Sequence, residues 1–324
     1  MKRALILGVG GQDGHYTAQL LLSRGYNVVG TRRPEMIDGP LSEGKIEVVP
    51  LDLRDADAME KVIESTRPTE IYNFAAYTSG ADMFVDAVAI GDINGLAVAR
   101  LLEAIRRIDP AIRFCQASSS EIFGDAETSP QVETTRCYPR SPYGAAKLYA
   151  HEMVRIYRER YGLFACSAIL FNHESPRRGV GFVTRKVTQA AARIGLGLDD
   201  CFTIGNLDAR RDWGAAADYV RAMHAMLQAS TADDFVIATG RTHSVRDLCE
   251  RAFTAVGLDY RRHIRENATV FRTTEATPLV GNASKARREL DWVPSTSFEA
   301  LIDSMVESDL AAARNEQMMQ EDRV

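Results

Sequence analysis

Short apolar runs alternate along the chain with longer stretches in which apolar residues recur every three or four positions. Residues 4–7, 26–30, 46–50, 70–74 and 113–117 read as strands, and residues 16–24, 58–66 and 93–107 as helices between them. This alternation predicts an α/β fold, a doubly wound parallel sheet with helices on both faces. Any ligand is then expected at the carboxyl ends of the strands, where the strand order reverses. From Asn172 onward the pattern turns irregular, with helices near 184–194 and 215–228 and further short strands. That predicts a smaller mixed α/β cap, with the chain crossing back to the sheet. The charged tail after Ala313 is expected to fray.

Composition narrows the function. Lys and Arg number 39 against 44 Asp and Glu, a net charge of -5 that argues against a nucleic-acid partner. Lysine supplies only Lys2, Lys45, Lys61, Lys147, Lys186 and Lys285, so the basic residues are overwhelmingly arginine. Codon bias accounts for such a number; phosphate recognition accounts only for arginines at particular positions. Five scattered cysteines without paired spacing suggest neither a disulfide framework nor a zinc site, and no metal is expected. The apolar run before Gly8 is too short for a signal peptide or a membrane span, which points to a cytoplasmic protein without a membrane partner.

The first strand runs into Gly8, Gly11 and Gly14, with Gln12 and Asp13 between them. Glycines there permit a tight turn and let backbone amides approach a pyrophosphate at the following helix N-terminus, the Rossmann arrangement. The second strand ends in Thr31-Arg32-Arg33, without the carboxylate that accepts the ribose hydroxyls of NAD, so NADP is the expected cofactor and NAD the less favoured one. Asp52 either contacts the adenine or caps the next helix. Tyr143 and Lys147 stand four apart, on one face if helical, preceded by Pro139 and Pro142 as helix-start signals. Such an ammonium is expected to lower the phenol pKa and make Tyr143 a base; the plainer reading is a surface helix with an aromatic contact. Ser118 to Ser120 follow a strand, as a substrate-binding cluster or simply a polar turn.

Together these features resemble an extended short-chain dehydrogenase/reductase acting on nucleotide sugars. Within that group, GQDG (residues 11–14), SSSEIFG (118–124), YPRSPYGAAK (138–147), LFNHESPRRG (170–179), FVTRK (182–186) and GNLDARRDWG (205–214) closely resemble the GDP-mannose 4,6-dehydratase family. The resemblance implies oxidation of the sugar at carbon 4, elimination of water across carbons 5 and 6, and return of the same hydride to carbon 6. It implies Tyr143 as base, Lys147 as its partner and a ribose ligand, Ser119 as hydroxyl donor, and Glu121 as the acid and base of the elimination. Ser119 stands where the family usually has Thr, and Ser120 where some related dehydratases place Asp. Cofactor contacts are implied for Gly8, Gly11, Gln12, Asp13, Gly14, Arg32, Asp52, Leu53, Ala75, Tyr143, Lys147, His173 and Arg178. Asn172, Lys186, Arg211, Arg272 and Glu275 are implied on the GDP side of the substrate.

Residues 1–171 are thus expected to form mainly the NADP-binding Rossmann domain, and 172–324 mainly the GDP-sugar domain. Two departures bear on the sugar. Tyr77-Thr78-Ser79-Gly80 replaces the usual Gln-Ser-His-Val, and Ala89 replaces a Tyr. They leave open a dehydratase for another GDP-hexose or GDP-heptose. A GDP-4-keto-6-deoxy-sugar reductase or epimerase would need Ser119, Tyr143 and Lys147 but not Glu121. A catalytically silent dinucleotide sensor would be expected to break the Tyr-Lys pair, which is intact here. The segment 33–45 is shorter than the loop that builds tetramers in many members, so the expected assembly is a homodimer through long helices, with a tetramer as the alternative.

Overall fold

In the computed structural model, which describes residues 2–36, 46–77, 84, 86–267 and 278–321, the chain begins with β1 (Arg3–Leu7), α1 (Gln12–Ser23), β2 (Asn27–Arg32), β3 (Glu47–Pro50), α2 (Ala56–Thr66) and β4 (Glu70–Asn73). There follow α3 (Ala87–Gly91), a π-helical turn (Asp92–Leu96), α4 (Ala97–Ile108), β5 (Arg113–Ala117), α5 (Pro142–Tyr161), β6 (Ala165–Leu170) and β7 (Asn172–Glu174). The remainder is α6 (Val183–Gly195), β8 (Phe202–Ile204), β9 (Arg210–Ala215), α7 (Ala216–Gln228), β10 (Phe235–Ile237), β11 (Thr242–Ser244), α8 (Val245–Thr254), β12 (Ile264–Glu266), α9 (Ser284–Leu290) and α10 (Phe298–Glu321).

Seven strands pair in parallel in the order β10-β6-β5-β4-β1-β2-β3. The expected parallel sheet is therefore present, and the chain order reverses at β1. Side chains of β1 alternate between two cores. Ala4 and Ile6 pack with Leu21 of α1, Met223 of α7 and Trp292, whereas Leu5 and Leu7 pack with Ile63 of α2, Leu101 and Ile105 of α4 and Val154 of α5. Both faces are covered, which explains why these strands read as continuous apolar runs. Each large side chain so buried contributes roughly 1.5–3 kcal/mol.

β10 returns to the main sheet beside β6 although it follows β7 to β9 in sequence. The other late strands form two small sheets, β11-β9-β7 and β12-β8. They pack with α6, α8 and α10 around Trp213, Leu248, Phe253, Ile302 and Met305. The expected fraying after Ala313 is not found: α10 continues to Glu321. Ala313 is buried, Glu316 pairs with Arg193 of α6, and Asp309 accepts from Arg185 and Thr188, so the helix is held against α6 as far as Glu316. The helix expected over 93–107 also differs. It starts at Ala87 and is interrupted by the π turn, whose buried Asn94 is used below. No helix among the described residues is long and apolar enough to cross a membrane.

Candidate active site

The switch point of the sheet carries the glycine turn. Gly11 is the N-cap of α1 and has no side chain to cap it, so no N-cap side chain takes up the first-turn amides of α1. A Cβ on Gly14 would lie 2.3 Å from the Gly8 carbonyl oxygen, so only glycine lets the helix start this close to β1. Ala75, just beyond β4, abuts Gly8, and Arg32 at the end of β2 lies over Gly10. This uncapped helix start, with a guanidinium beside it, fits a dinucleotide phosphate. Asp52 does not cap α2; Asp55 does, accepting from the Ala58 amide at 2.9 Å. Asp52 instead holds Arg54 through its amide (2.9 Å) and guanidinium (2.6 Å), which keeps the carboxyl below its ordinary pKa. Leu53 packs partly buried against the core between the sheet and α2.

Ser119 and Glu121 sit beyond the end of β5, in a 3-10 turn (Ser120–Ile122) that Ser119 caps by accepting from the Glu121 amide at 3.2 Å. Tyr143 and Lys147 lie on α5, which starts as the prolines suggest. Ser141 is its N-cap, bonded to the Gly144 amide at 3.0 Å, and Pro142 is its first residue. Gly144 brings the two elements together, since a Cβ there would lie 2.6 Å from the Glu121 carbonyl oxygen. Ser119, Glu121, Tyr143 and Lys147 thus converge at the carboxyl end of the sheet. The Ser119 hydroxyl and the charge of Glu121 both act on the Tyr143 phenol.

The electrostatics correct one expectation. Tyr143 is not lowered but pushed up to about 12, because desolvation and the carboxylates of Glu121 and Asp13 outweigh the hydrogen bond from Ser119 and the charge of Arg178. Lys147 lies near the ring, 5.7 Å from its centroid, and donates to the Ala117 carbonyl oxygen at 2.8 Å. Burial pulls this ammonium down to about 8. Sequence spacing reveals the proximity of the pair but not the burial that governs both groups.

His173 lies on β7 and reaches back to the glycine turn. Its Nε2 is 2.9 Å from Asp13 Oδ2, and its ring stacks on Tyr219 with centroids 4.9 Å apart. Gln12 donates to the His173 carbonyl oxygen at 3.0 Å and accepts from Ser175 Oγ at 2.7 Å. Arg178 is held by Glu174 (3.1 Å) and stacks over Phe182 (3.6 Å). Asn172 pairs in register with Trp213 of β9, the strand that also carries Arg211. Lys186 is exposed on α6. Arg272 and Glu275 lie outside the described residues.

Sequence reading passed over Ser175, Tyr219 and Asn94. Asn94, in the π turn, accepts from the Tyr77 amide at 2.7 Å and donates to the Tyr77 carbonyl at 3.0 Å, fixing the chain that leaves β4. Its only sequence signal is a lone amide in an otherwise apolar helical run, and π turns concentrate at functional sites.

This geometry is that of a nucleotide-sugar-modifying short-chain dehydrogenase/reductase. Residues 5–305 match the GDP-mannose 4,6 dehydratase family. GDP-mannose 4,6 dehydratase of Cricetulus griseus is 42% identical, covering 97% of this chain and 92% of its own. The corresponding protein 1 of Arabidopsis thaliana is 43% identical, covering 98% and 92%. The Yersinia enterocolitica GDP-mannose 4,6-dehydratase is 40% identical, covering 98% and 96%. Among solved structures, dTDP-glucose 4,6-dehydratase from Bacillus anthracis in complex with NAD aligns with a TM-score of 0.83 at 20% identity, covering 98% of each chain. RMD from Pseudomonas aeruginosa complexed with NADPH aligns with 0.82 at 21%, covering 96% of this chain and 100% of its own. The chain belongs to the GDP-mannose 4,6-dehydratase family, and is by that membership a nucleotide-sugar hydro-lyase.

Proposed function

We propose that the protein converts GDP-mannose to GDP-4-keto-6-deoxymannose with NADP as its resident cofactor, and that Glu121 is what makes it a dehydratase. The observation that carries this reading is the seat of Glu121, which Ser119 caps and Gly144 admits beside Tyr143. A bound nicotinamide dinucleotide supplies a store for one hydride between two carbons of the same sugar. Gly8, Gly11, Gln12, Asp13 and Gly14 would hold it, with Asp52, Leu53, Ala75, His173 and Arg178 around them. Arg32, where an NAD site would carry a carboxylate, supports NADP over NAD. The NAD and NADPH complexes of the two solved structures support the cofactor class.

The chain's own residues divide the remaining work. Tyr143 takes the proton of the carbon 4 hydroxyl, Ser119 holds that oxygen, and Lys147 favours the phenolate. Once carbon 4 is a ketone, the proton on carbon 5 is acidic, and the Glu121 carboxylate removes it. The same carboxyl then protonates the hydroxyl leaving carbon 6, which departs as water. One group serves both steps because its neighbour is Ser120 rather than a second carboxylate. Asn172, Lys186, Arg211, Arg272 and Glu275 take the GDP, the cations answering its diphosphate. In this reading residues 1–171 mainly bind cofactor and 172–324 mainly bind GDP-sugar. Exposed Val88, Leu96, Tyr149 and Ile156 on α3, the π turn and α5 support a homodimer through this helical face. The free cysteines accord with action in the cytoplasm.

Purified protein incubated with GDP-mannose and other nucleotide sugars, with no added reductant, tests the reading by mass spectrometry. Loss of one water from GDP-mannose is expected. Turnover only with stoichiometric NADPH would replace it with a reductase, and dehydration of a different sugar would overturn the substrate. Glu121→Gln should abolish dehydration while cofactor binding persists.

A further inference from the structure

His173 has each ring nitrogen against an oxygen that only accepts. Nδ1 lies 2.8 Å from the Phe171 carbonyl oxygen and Nε2 lies 2.9 Å from Asp13 Oδ2. A neutral imidazole has one donor and one acceptor, so one of these contacts would set two lone pairs against each other. A ring protonated on both nitrogens satisfies both contacts. The arrangement is enclosed: the His173 side chain is 12% exposed and stacks on Tyr219. It is also closed on itself, since Gln12 Nε2 bridges Asp13 Oδ1 (3.1 Å) and the His173 carbonyl oxygen (3.0 Å). The first turn of α1 and β7 are therefore joined by one ring of hydrogen bonds. Besides Asp13 and Gln12 of α1, the histidine faces Tyr219 of α7, Arg178 beyond β7, and its neighbour Glu174. Burial and, less strongly, Arg178 oppose its charge, Asp13 outweighs them, and the outcome is a histidine above its ordinary pKa beside an aspartate below its own.

The pair reaches the chemistry through Asp13. Its negative charge raises Tyr143 and favours the ammonium of Lys147. Left uncompensated, that charge leaves less of the phenol ionised at neutral pH. We propose that His173 is an imidazolium that ties the dinucleotide turn to β7 and offsets the charge of Asp13 across their 2.9 Å contact. It is a positioning residue for the cofactor pocket and takes no part in proton transfer to the sugar. The inference rests on the reading of this site as a dinucleotide-dependent dehydratase and adds the means by which its base is tuned.

The protonation state is tested without turnover, by nitrogen NMR of the imidazole rings in the full chain at pH 7, with His173 assigned by comparison with His173→Gln. Both ring nitrogens of His173 are expected to carry protons where an ordinary histidine is mostly neutral. A single-proton tautomer at that pH overturns the proposal. The tuning is tested on the pH profile of kcat with GDP-mannose. His173→Gln keeps a donor for Asp13 but removes the charge, so the limb that reports the base should move upward, with lower kcat at neutral pH and convergence at alkaline pH. Adding Asp13→Asn should move the limb back toward wild type. A uniform loss of kcat at every pH, with no recovery in the double variant, overturns the tuning role. Failure of the wild-type chain to dehydrate any nucleotide sugar would instead sink the functional reading, and leaves the NMR result standing.

Discussion

β4 begins and ends on a buried polar side chain, and the two ends of the strand behave oppositely. At its start, Glu70 accepts from Lys2 (3.0 Å), Tyr26 (3.1 Å), Tyr72 (2.8 Å) and Gln228 (3.2 Å). At its finish, Asn73 donates to Gln116 at 2.8 Å, but its Oδ1 is buried with no partner among the described residues, as is Ser118 Oγ nearby beyond β5. Two histidines repeat the contrast. His224, beside Glu70, receives an Arg24 guanidinium on Nδ1 at 2.6 Å and is driven down to about 4, so it is neutral. His173, at the other end of the sheet, faces two acceptors and is raised. A saturated polar knot stabilises; a polar cluster with open valences has capacity left for a ligand. Burial alone does not separate the two, but hydrogen-bond bookkeeping does.

Substitutions that act in opposite directions at the two ends test this contrast. The largest effect is expected for Lys147→Met. Turnover should fall by about 10²–10⁴-fold, while thermal unfolding shifts upward or stays level, because a buried ammonium is costly and methionine fills similar space. A clear fall in melting temperature would mean that Lys147 is structural. The saturated end should show its effect in acid. The folded-state pKa of His224 lies below the unfolded one, so the unfolded chain binds more protons between about pH 6.5 and 4, and stability falls as pH drops through that window, by up to about 3 kcal/mol. Urea titrations of wild type and His224→Gln across that range should show the slope in wild type and its loss in the variant. Glu70, also lowered, adds its own loss only below its ordinary carboxyl range, so a slope surviving intact in His224→Gln would assign the effect elsewhere. Smaller still, Glu70→Gln should cost about 1–3 kcal/mol with turnover per folded molecule unchanged, as chemical denaturation and active-site titration would report.

How much of this was legible in the sequence follows from range. The strands, the glycine turn, the helix start at Pro142 and the Tyr143-Lys147 spacing are local patterns, and each lies within a few residues of where periodicity and helix-start rules place it. Pairs such as Asp13 with His173, 160 residues apart, or Tyr26 with His224, 198 apart, leave no periodic trace. Resemblance supplied a role for His173 but not its charge, which depends on which oxygens fold against it. The direction of the Tyr143 shift was misjudged for the same reason, since burial is a property of the assembled site. The tail after Ala313 reads as a charged, solvated end, whereas Glu316 pairs with Arg193 on α6.

The finest test of the contrast is Ser118→Ala. Its hydroxyl is buried without a partner among the described residues, while its amide is bonded to the Gln116 and Ala168 carbonyls, so the backbone is anchored without it. Removing an unsatisfied hydroxyl relieves a desolvation cost, and stability should rise by up to about 1 kcal/mol. If the open valences at this end serve a ligand, turnover or cofactor affinity should fall as stability rises. Differential scanning calorimetry alongside steady-state dehydration would show both. A variant that gains stability and keeps full turnover would make Ser118 a simple packing defect and leave Asn73 Oδ1 as the orphan acceptor at this end of β4.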